Sequence, residues 1–277
     1  MDQPLNRRPS PARAPHPWRI VGWSLAAALA LVHAWMLNRY VVDFPFQDDF
    51  TQFLVVPGYL QNAQTLPAKL AYLFSSSGDH RIVTLRLAAL VQARLLGGLD
   101  FRMLIYFGNL LIALAGLLVV SRAEASQRWL LAPLGAALLF STTNFVAQYW
   151  ASAALQHLCL VACGMAALYC LVRPGIGWQI GGLILALGAA LTGANGLTVL
   201  PVAAVALFFG GHRRAAFALA ALAIALGGAY FIDHQAAAGR PPTLQVLEHP
   251  VRLLGFSWRR WARWPSASTP PWCSAGC

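Results

Sequence analysis

Long apolar stretches, separated by short segments that carry arginine, recur along most of the chain. Of the 277 residues, 58% are hydrophobic and only 10% are charged, and the mean hydropathy is +0.57. A helix of roughly 20 apolar residues crosses a bilayer core about 30 Å thick. A water-soluble globule of this length needs more polar surface than this composition supplies. The sequence therefore predicts an all-α, polytopic membrane bundle.

About seven stretches are long and apolar enough to be predicted as membrane spans. The fifth and sixth are short and are separated only by Gly193-Ala-Asn-Gly196, so one broken or re-entrant unit is the alternative for this pair. The predicted spans are 20–38, 104–120, 129–146, 153–172, 177–192, 197–209 and 215–232.

Arginines in the short loops predict the orientation, because Lys and Arg in such loops stay cytoplasmic. The basic segment 1–19 is therefore placed in the cytoplasm, and the apolar stretch after it is interpreted as an uncleaved anchor because it is longer than a signal-peptide core. With seven spans, the loop arginines fall on the cytoplasmic side: Arg122, Arg128, Arg173, Arg213 and Arg214. The formal net charge of +11 is scattered over loops rather than gathered on one face, which favours membrane anchoring over nucleic-acid binding.

Segment 39–103, the first loop on the opposite, extracytoplasmic side, is the only long polar insertion before the C-terminal segment. Within it, 67–74 and 82–96 are predicted to be helical, with Pro57, Pro67 and 75–78 as breakers. Segment 82–96 is expected to lie along the membrane interface, where its arginines can reach lipid headgroups or an anionic ligand. The loop holds five of the nine acidic residues: Asp43, Asp48, Asp49, Asp79 and Asp100.

Asp48 and Asp49 are the candidate catalytic residues, because a carboxylate at the mouth of a helical bundle can act as a general base or a metal ligand. Flanking Phe and Pro residues favour a fixed, partly desolvated turn, and desolvation beside a like charge raises the pKa of a carboxylate. The alternative, at even odds, is a solvated acidic loop. Adjacent side chains in an extended segment point in opposite directions, so one aspartate is expected to face the cavity and the other to hold the loop or bind a metal.

His80 and Arg81 are the candidate phosphate-binding residues, since Arg binds phosphate by bidentate hydrogen bonds. The structural alternative is that Asp79 caps the following helix and a cation lies nearby. Tyr149 and Trp150 are candidates for substrate contact, although an interfacial aromatic belt with a hydrogen-bonded His157 is preferred about two to one.

Thr192 to Asn195 forms either a simple tight turn or a turn that presents backbone amides, with Asn195 as the candidate for substrate contact. Cys159, Cys163 and Cys170 lie at helical spacing in the fourth span, which favours packing over a metal site.

Segment 233–277 is predicted to be an extracytoplasmic tail whose character changes at about residue 256. A tryptophan and arginine belt at the membrane interface is one interpretation. A lost or truncated reading frame is favoured, because the hydropathy pattern stops without a closing element.

Three short motifs resemble those of bacterial GT-C glycosyltransferases, integral-membrane enzymes that use polyprenyl-phosphate sugars. The motifs are Phe46-Gln-Asp-Asp-Phe50, His80-Arg81 and Leu95-Leu-Gly-Gly-Leu-Asp100. The resemblance implies a location in the bacterial inner membrane, with a polyprenyl-phosphate sugar and membrane lipids as partners. It also implies that Asp48 or Asp49 deprotonates an acceptor hydroxyl, while Arg81 and His80 stabilise the departing phosphate.

The resemblance leaves the need for a divalent metal open, because members of the class differ in this. Members commonly have more spans and often a C-terminal outer domain, which this chain lacks, so part of the acceptor site is in doubt. A lipid-linked substrate flippase and a non-catalytic membrane protein are the alternative functions. A flippase is disfavoured because His33 and His157 are the only histidine, acidic or basic residues well inside the predicted spans.

Overall fold

Helices form nearly the whole of the computed structural model, which describes residues 16–63, 65–78 and 80–232. The predictions for Asp79, for residues 1–15 and for the tail 233–277 lie outside these described residues. In chain order the helices are α1 (His16–Tyr40), α2 (Val55–Asn62), α3 (Leu66–Phe74), α4 (Val83–Leu96), α5 (Phe101–Arg122), α6 (Arg128–Leu139), α7 (Phe145–Tyr149), α8 (Ala151–Ala153), α9 (Cys159–Leu171), α10 (Ile176–Thr192), α11 (Val199–Phe209) and α12 (Arg213–Phe231).

Irregular helical turns join several of these helices. The π-helical turns Phe50–Leu54 and Ala154–Leu158 lead into α2 and α9, while the 3₁₀ turns Thr142–Asn144 and Ala194–Thr198 lead into α7 and α11. The fold is not purely helical, because strands β1 (Ser76–Ser77) and β2 (His80–Arg81) pair antiparallel between α3 and α4.

All seven predicted apolar stretches lie on helices, but only five helical segments in the described part of the chain are long and apolar enough to cross a membrane. The two shorter apolar helices, Ile176–Thr192 and Ala194–Phe209, are the pair for which the sequence left a re-entrant alternative. The five candidate spans are Pro17–Tyr40, Phe101–Arg122, Arg128–Tyr149, Ala151–Leu171 and Arg213–Phe231.

The polar insertion between α1 and α5 is folded onto one end of the bundle, which we call the loop end. Its helices α3 and α4 confirm the prediction for 67–74 and 82–96. The prediction that Pro57 interrupts helical structure is wrong, because helical structure runs through Pro57, from the π-helical turn Phe50–Leu54 into α2. One hydrophobic cluster, which includes Phe53, Leu85 and Leu155, joins the insertion to α1, α5 and α8.

The insertion uses aspartates at helix N-termini, where a carboxylate satisfies free amides and opposes the helix dipole. The Asp100 carboxylate accepts a 2.9 Å hydrogen bond from the amide of Met103, and Asp43 accepts a 2.8 Å bond from the amide of Phe101. Both carboxylates therefore cap the N-terminus of α5.

Arginines of the insertion donate hydrogen bonds to the carbonyl oxygens at helix C-termini. The Arg86 guanidinium donates to the carbonyl oxygens of Tyr72, Leu73 and Ser75 at 2.6 to 3.0 Å, at the end of α3. Arg86 is only 5% exposed, and burial lowers its pKa. The prediction that this arginine reaches lipid headgroups is therefore wrong for Arg86, whereas Arg94 in the same helix is exposed.

Glycine permits close helix packing at two places. A Cβ atom at Gly22 of α1 would overlap the carbonyl oxygen of Trp129 in α6. A Cβ atom at Gly108 of α5 would lie 2.8 Å from the carbonyl oxygen of Ala154. The second contact brings α5 against the helix that begins directly after Trp150, which positions the candidate site.

Candidate functional site

The Asp49 carboxylate accepts three hydrogen bonds, two of which hold the insertion against the bundle. Its Oδ2 accepts from the amide of Phe46 at 3.0 Å. Its Oδ1 accepts from the indole Nε1 of Trp150 at 3.0 Å and from the amide of Ser152 at 2.8 Å. The Ser152 amide lies in the first turn of α8, so Asp49 caps this helix from a distant part of the sequence.

Burial controls the acidity of Asp49, whose side chain is only 1% exposed. Desolvation raises the pKa of Asp49, while the hydrogen bonds from Phe46, Ser152 and Trp150 act in the opposite direction. Both oxygens are already bonded to protein donors. The geometry therefore makes Asp49 a residue that positions the turn.

Asp48, the next residue, is exposed, and within the described residues its carboxylate makes no hydrogen bond. The two aspartates therefore differ in environment, but the expected division of roles is wrong, because Asp49 both borders a cleft and holds the turn. The premise of an extended segment is wrong as well. Asp49 has helical φ and ψ of −58° and −33°, and Gln47 has a φ of +46°, which a residue other than glycine rarely adopts. A tight turn that enters a π-helical turn separates the two side chains.

Asp48 also differs from the other carboxylates of the insertion. Asp43, Asp49 and Asp100 all accept hydrogen bonds from backbone amides at helix starts or turns. Among the acidic residues of the insertion that the structure describes, Asp48 alone has a carboxylate that is exposed and without a protein donor. An exposed carboxylate of this kind matches the solvated acidic loop that the sequence left as the alternative, and it is also free to act as a base.

A cleft of about 230 Å³ lies beside Asp49 at the loop end. The structure thus brings together three of the predicted site residues, Asp49, Tyr149 and Trp150, in one cavity wall. The Phe46 and Trp150 rings meet edge to face, with centroids 5.7 Å apart. The cleft is lined by Val42, Phe44, Phe46, Asp49, Ile105, Phe145, Val146, Tyr149, Trp150 and Ala151.

Arg81 lies in a second group, where it connects β2 to the ends of two helices. Its amide donates to the Tyr230 hydroxyl at 2.8 Å, and its Nε donates to the Tyr230 carbonyl at 2.9 Å. The two Nη atoms donate to the carbonyls of Phe74 and Ile232. Three of the guanidinium nitrogens are thus committed to helix C-termini, and no ion pair joins Arg81 to Asp48 or Asp49 among the residues described. Phosphate binding by Arg81 stays a prediction.

The remaining predicted residues lie outside the cleft. His80 is partly exposed and close enough to His157 for the two imidazoles to interact electrostatically. Asn195 is exposed in the 3₁₀ turn before α11, where its carbonyl accepts a 2.7 Å bond from the Thr198 hydroxyl. The structure does not bring Asn195 to the cleft beside Asp49.

Sequence reasoning missed a buried polar network beneath the cleft. His33 Nε2 lies 3.0 Å from Asn109 Oδ1, and Asn109 Nδ2 donates to the carbonyls of Ile105 and Gln148 at 2.9 and 2.8 Å. Because Asn109 Nδ2 is the donor to both carbonyls, its Oδ1 faces His33, and His33 Nε2 carries the proton. A lone asparagine inside the apolar run of α5 was the available signal, since polar residues within spans are costly.

Among the residues that the structure describes, no group of three or more His, Cys, Asp or Glu side chains is placed to hold a metal ion. The Cys159 and Cys163 sulfur atoms lie 3.8 Å apart on neighbouring turns of α9. Comparison of the chain with protein-family models, curated proteins and solved structures gives no significant match.

Proposed function

We propose that the chain is an integral-membrane glycosyltransferase of the GT-C type, located in the bacterial inner membrane with its N-terminus in the cytoplasm. It transfers a sugar from a polyprenyl-phosphate donor to an extracytoplasmic glycan, lipid or protein. The proposal rests on the sequence motifs together with the geometry at the loop end.

The contacts of the insertion support the alternating orientation of the helices. Carboxylates of the insertion accept hydrogen bonds from amides at the N-termini of α5 and α8; they belong to Asp43, Asp49 and Asp100. The Arg81 guanidinium donates to a carbonyl oxygen at the C-terminus of α12. These three helix ends lie on the same side of the membrane if successive spans alternate in direction. A crossing pair and a re-entrant pair at α10 and α11 place α12 identically, so with both counts the insertion lies on the side opposite the loop arginines, which in this proposal is the extracytoplasmic side.

The free carboxylate of Asp48 is the observation that carries the proposal. In the reaction, Asp48 takes the proton of the acceptor hydroxyl, and the acceptor oxygen forms a bond to the anomeric carbon. The bond from that carbon to the phosphate oxygen breaks, and polyprenyl phosphate leaves with the electron pair. Asp49 fixes the turn that carries Asp48, and both of its oxygens stay occupied, Oδ1 by Trp150 and Ser152 and Oδ2 by the amide of Phe46.

Arg81 and His80 are the proposed stabilisers of the departing phosphate. Arginine has five N–H donors, of which three engage carbonyl oxygens of this chain, so two remain for an anion. Binding of phosphate by these two donors leaves the contact with α12 intact.

The test is sugar transfer by the purified protein in lipid, assayed with a panel of polyprenyl-phosphate sugars. Loss of the base in Asp48→Asn lowers the rate by about 10²- to 10⁴-fold while the protein still inserts. Glu124→Gln, an exposed carboxylate near the opposite end of α5, is the matched control and keeps full activity. Full activity in Asp48→Asn would rule out the proposed base.

A flippase for a lipid-linked substrate is the second candidate, favoured by the buried network of His33, Asn109 and Gln148. Polar groups inside spans mark substrate pathways in transporters. Movement of a labelled lipid-linked sugar across proteoliposomes that is lost in Asn109→Leu, without any transfer reaction, would favour this function over catalysis.

A further inference from the structure

Two aromatic rings form a corner at the end of the bundle opposite the loop end. The helices α5 and α9 end there, and α10 begins there. Tyr169 lies in the last turn of α9, and Trp178 lies in the first turn of α10. Their rings meet edge to face, with centroids 6.1 Å apart and planes at 87°. Tyrosine and tryptophan are enriched at the depth of the lipid headgroups, which is where the ends of membrane spans lie.

Two arginines from different parts of the chain stack on the Tyr169 ring. The guanidinium carbon of Arg173 lies 4.2 Å from the centroid of Tyr169 and 4.8 Å from that of Trp178. The guanidinium carbon of Arg122, the last residue of α5, lies 5.3 Å from the Tyr169 centroid. A ring face attracts a cation within about 6 Å. One tyrosine thus holds two positive charges together, although like charges repel.

No carboxylate of the described chain neutralises this pair. Within the described residues, the guanidinium groups of Arg122 and Arg173 contact only the aromatic rings. Glu124 is the one acidic residue that the structure describes at this end, and it makes no ion pair with either arginine. The pair is therefore a concentration of positive charge without a counter-ion from the part of the chain that is described.

Stacking also leaves the hydrogen-bond donors of both arginines unused. A guanidinium stacks through its face, while its five N–H donors lie in its plane. Arg128, at the same end of the bundle, shows the other use of an arginine. Its Nε and Nη2 atoms donate to the carbonyl oxygens of Ala123 and Ser121 at 3.0 and 2.8 Å, at the end of α5. Arg128 is committed to the fold, whereas Arg122 and Arg173 keep their donors for a ligand.

We propose that Arg122 and Arg173 form a binding site for the phosphate of an anionic phospholipid headgroup, in the leaflet at this end of the bundle. Guanidinium groups bind phosphate by paired hydrogen bonds, and an anion bound to both arginines offsets their repulsion. The N-terminus of α10 adds partial positive charge, because Gly175 at its N-cap has no side chain to cap it. Basic pockets between the ends of membrane helices bind anionic headgroups in this way.

The site is separate from the proposed reaction. It lies at the opposite end of the bundle from Asp48, and it requires only that the helices span a membrane. In the proposed orientation, the lipid belongs to the cytoplasmic leaflet.

Lipid binding is measured by native mass spectrometry of the full chain in detergent, with dioleoyl phosphatidylglycerol and dioleoyl phosphatidylcholine as probes. The two lipids share their acyl chains, but only phosphatidylglycerol has a net negative charge. We expect it to bind more tightly than phosphatidylcholine. Arg122→Gln and Arg173→Gln each weaken its binding about fivefold, the effect of one arginine near an anionic surface.

Arg214→Gln is the matched control, because Arg214 is exposed at the start of α12, at the same end of the bundle. This variant removes the same charge and keeps the binding of phosphatidylglycerol unchanged. Equal binding of the two lipids, or equal losses in Arg214→Gln and in the variants of Arg122 and Arg173, overturns the site.

Substitutions at Tyr169 test whether the ring is needed to hold the two arginines together. Tyr169→Phe keeps the ring and Tyr169→Leu removes it, and neither changes the charge. We expect phosphatidylglycerol binding to persist in Tyr169→Phe and to weaken in Tyr169→Leu. If Tyr169→Leu does not fold, Arg173→Lys makes the same distinction, because an ammonium keeps the charge but lacks the planar fork. Binding at the level of the wild type in Tyr169→Leu or in Arg173→Lys shows a general attraction of charges and overturns the site.

Inorganic phosphate distinguishes a lipid from a soluble phosphate as the source of the anion. We expect phosphatidylglycerol to stay bound in an excess of inorganic phosphate, because the acyl chains also hold the lipid at the protein. Displacement of the lipid by phosphate, and not by potassium chloride of the same ionic strength, overturns the lipid as the ligand in favour of a free phosphate.

Discussion

The indole nitrogen of Trp150 donates a 3.0 Å hydrogen bond to the carboxylate of Asp49, although 101 positions separate the two residues. The bond joins the insertion after α1 to the turn before α8. Asp49 is buried in this contact, and its ionised form is therefore desolvated as well as hydrogen-bonded. The balance of these two effects determines how the stability of the loop end depends on pH.

The first prediction concerns the pH dependence of stability. Because burial raises the pKa of Asp49 above its ordinary value of 3.8, the folded chain holds the proton at pH values where the unfolded chain has lost it. The stability contributed by Asp49 is thus complete below pH 3.8 and decreases as the pH rises from there to the folded pKa. Thermal unfolding of the wild type and Asp49→Asn from acid to neutral pH measures the difference.

Asp49→Asn keeps the shape of the side chain but cannot ionise, so the decrease is expected in the wild type and not in the variant. At neutral pH the variant gains stability because it avoids a buried charge. It loses stability where its amide NH₂ replaces a carboxylate oxygen that accepts a hydrogen bond. A constant difference in melting temperature across the pH range would show that Asp49 has no raised pKa.

The second prediction concerns the contact between Arg81 and Tyr230. Arg81→Lys retains the charge but offers one compact ammonium in place of a planar fork, so it cannot serve the carbonyls of Phe74, Tyr230 and Ile232 together. We expect Arg81→Lys to unfold at a lower temperature than the wild type and to expose the α3–α4 connection to protease. Each lost hydrogen bond costs about 0.5–1.5 kcal/mol.

Tyr230→Phe removes only the bond from the Arg81 amide and is expected to show a smaller loss. Arg94→Lys is the control, since Arg94 is exposed on the helix that follows. Equal stability of Arg81→Lys and Arg94→Lys would contradict a structural role for the Arg81 guanidinium.

Local hydropathy predicted the helices well because a span must satisfy its backbone hydrogen bonds within itself. The positions of α3 and α4 followed from apolar periodicity and from breakers such as Pro67. Pro57 misled the prediction, since helical structure runs through it from the π-helical turn Phe50–Leu54 into α2.

The site was harder to predict because its contacts connect distant segments. Asp48 and Asp49 are chemically identical in the sequence, and the partner that distinguishes them, Trp150, lies 101 positions from Asp49. Arg86 illustrates the same limit: its charge suggested a lipid contact, whereas three carbonyl oxygens surround it at the end of α3. Side-chain burial depends on tertiary packing, which local patterns do not specify.

The third prediction tests the packing of α1 against α6. A Cβ atom at Gly22 would overlap the backbone oxygen of Trp129, so Gly22→Ala must force the two helices apart. We expect a loss of stability of about 1–3 kcal/mol, as for other overpacked sites. Gly135→Ala in α6 is the control, because nothing lies within 4 Å of its added Cβ atom. Similar melting temperatures for the two variants would disprove close packing at Gly22.

The fourth prediction concerns the sides of the membrane on which three exposed positions lie. Single cysteines are introduced at Asp48, Glu124 and Asn195 in a chain whose five native cysteines are replaced by serine. The proposed orientation requires that a membrane-impermeant maleimide, added to intact cells, labels position 48 and reaches position 124 only after the membrane is opened. Labelling at 124 and not at 48 in intact cells would invert the orientation and remove the extracytoplasmic reaction.

Position 195 lies at the start of Ala194–Phe209, the second of the two short apolar helices, just after Ile176–Thr192 ends, so it distinguishes crossing from re-entry. If both helices cross, intact cells are labelled at 195, and the chain has seven spans. A re-entrant pair leaves 195 within the membrane, where the thiol stays protonated and unreactive to a polar maleimide even after the membrane is opened. In both cases α12 ends on the side of Asp48, because its C-terminus is held by Arg81 of the insertion.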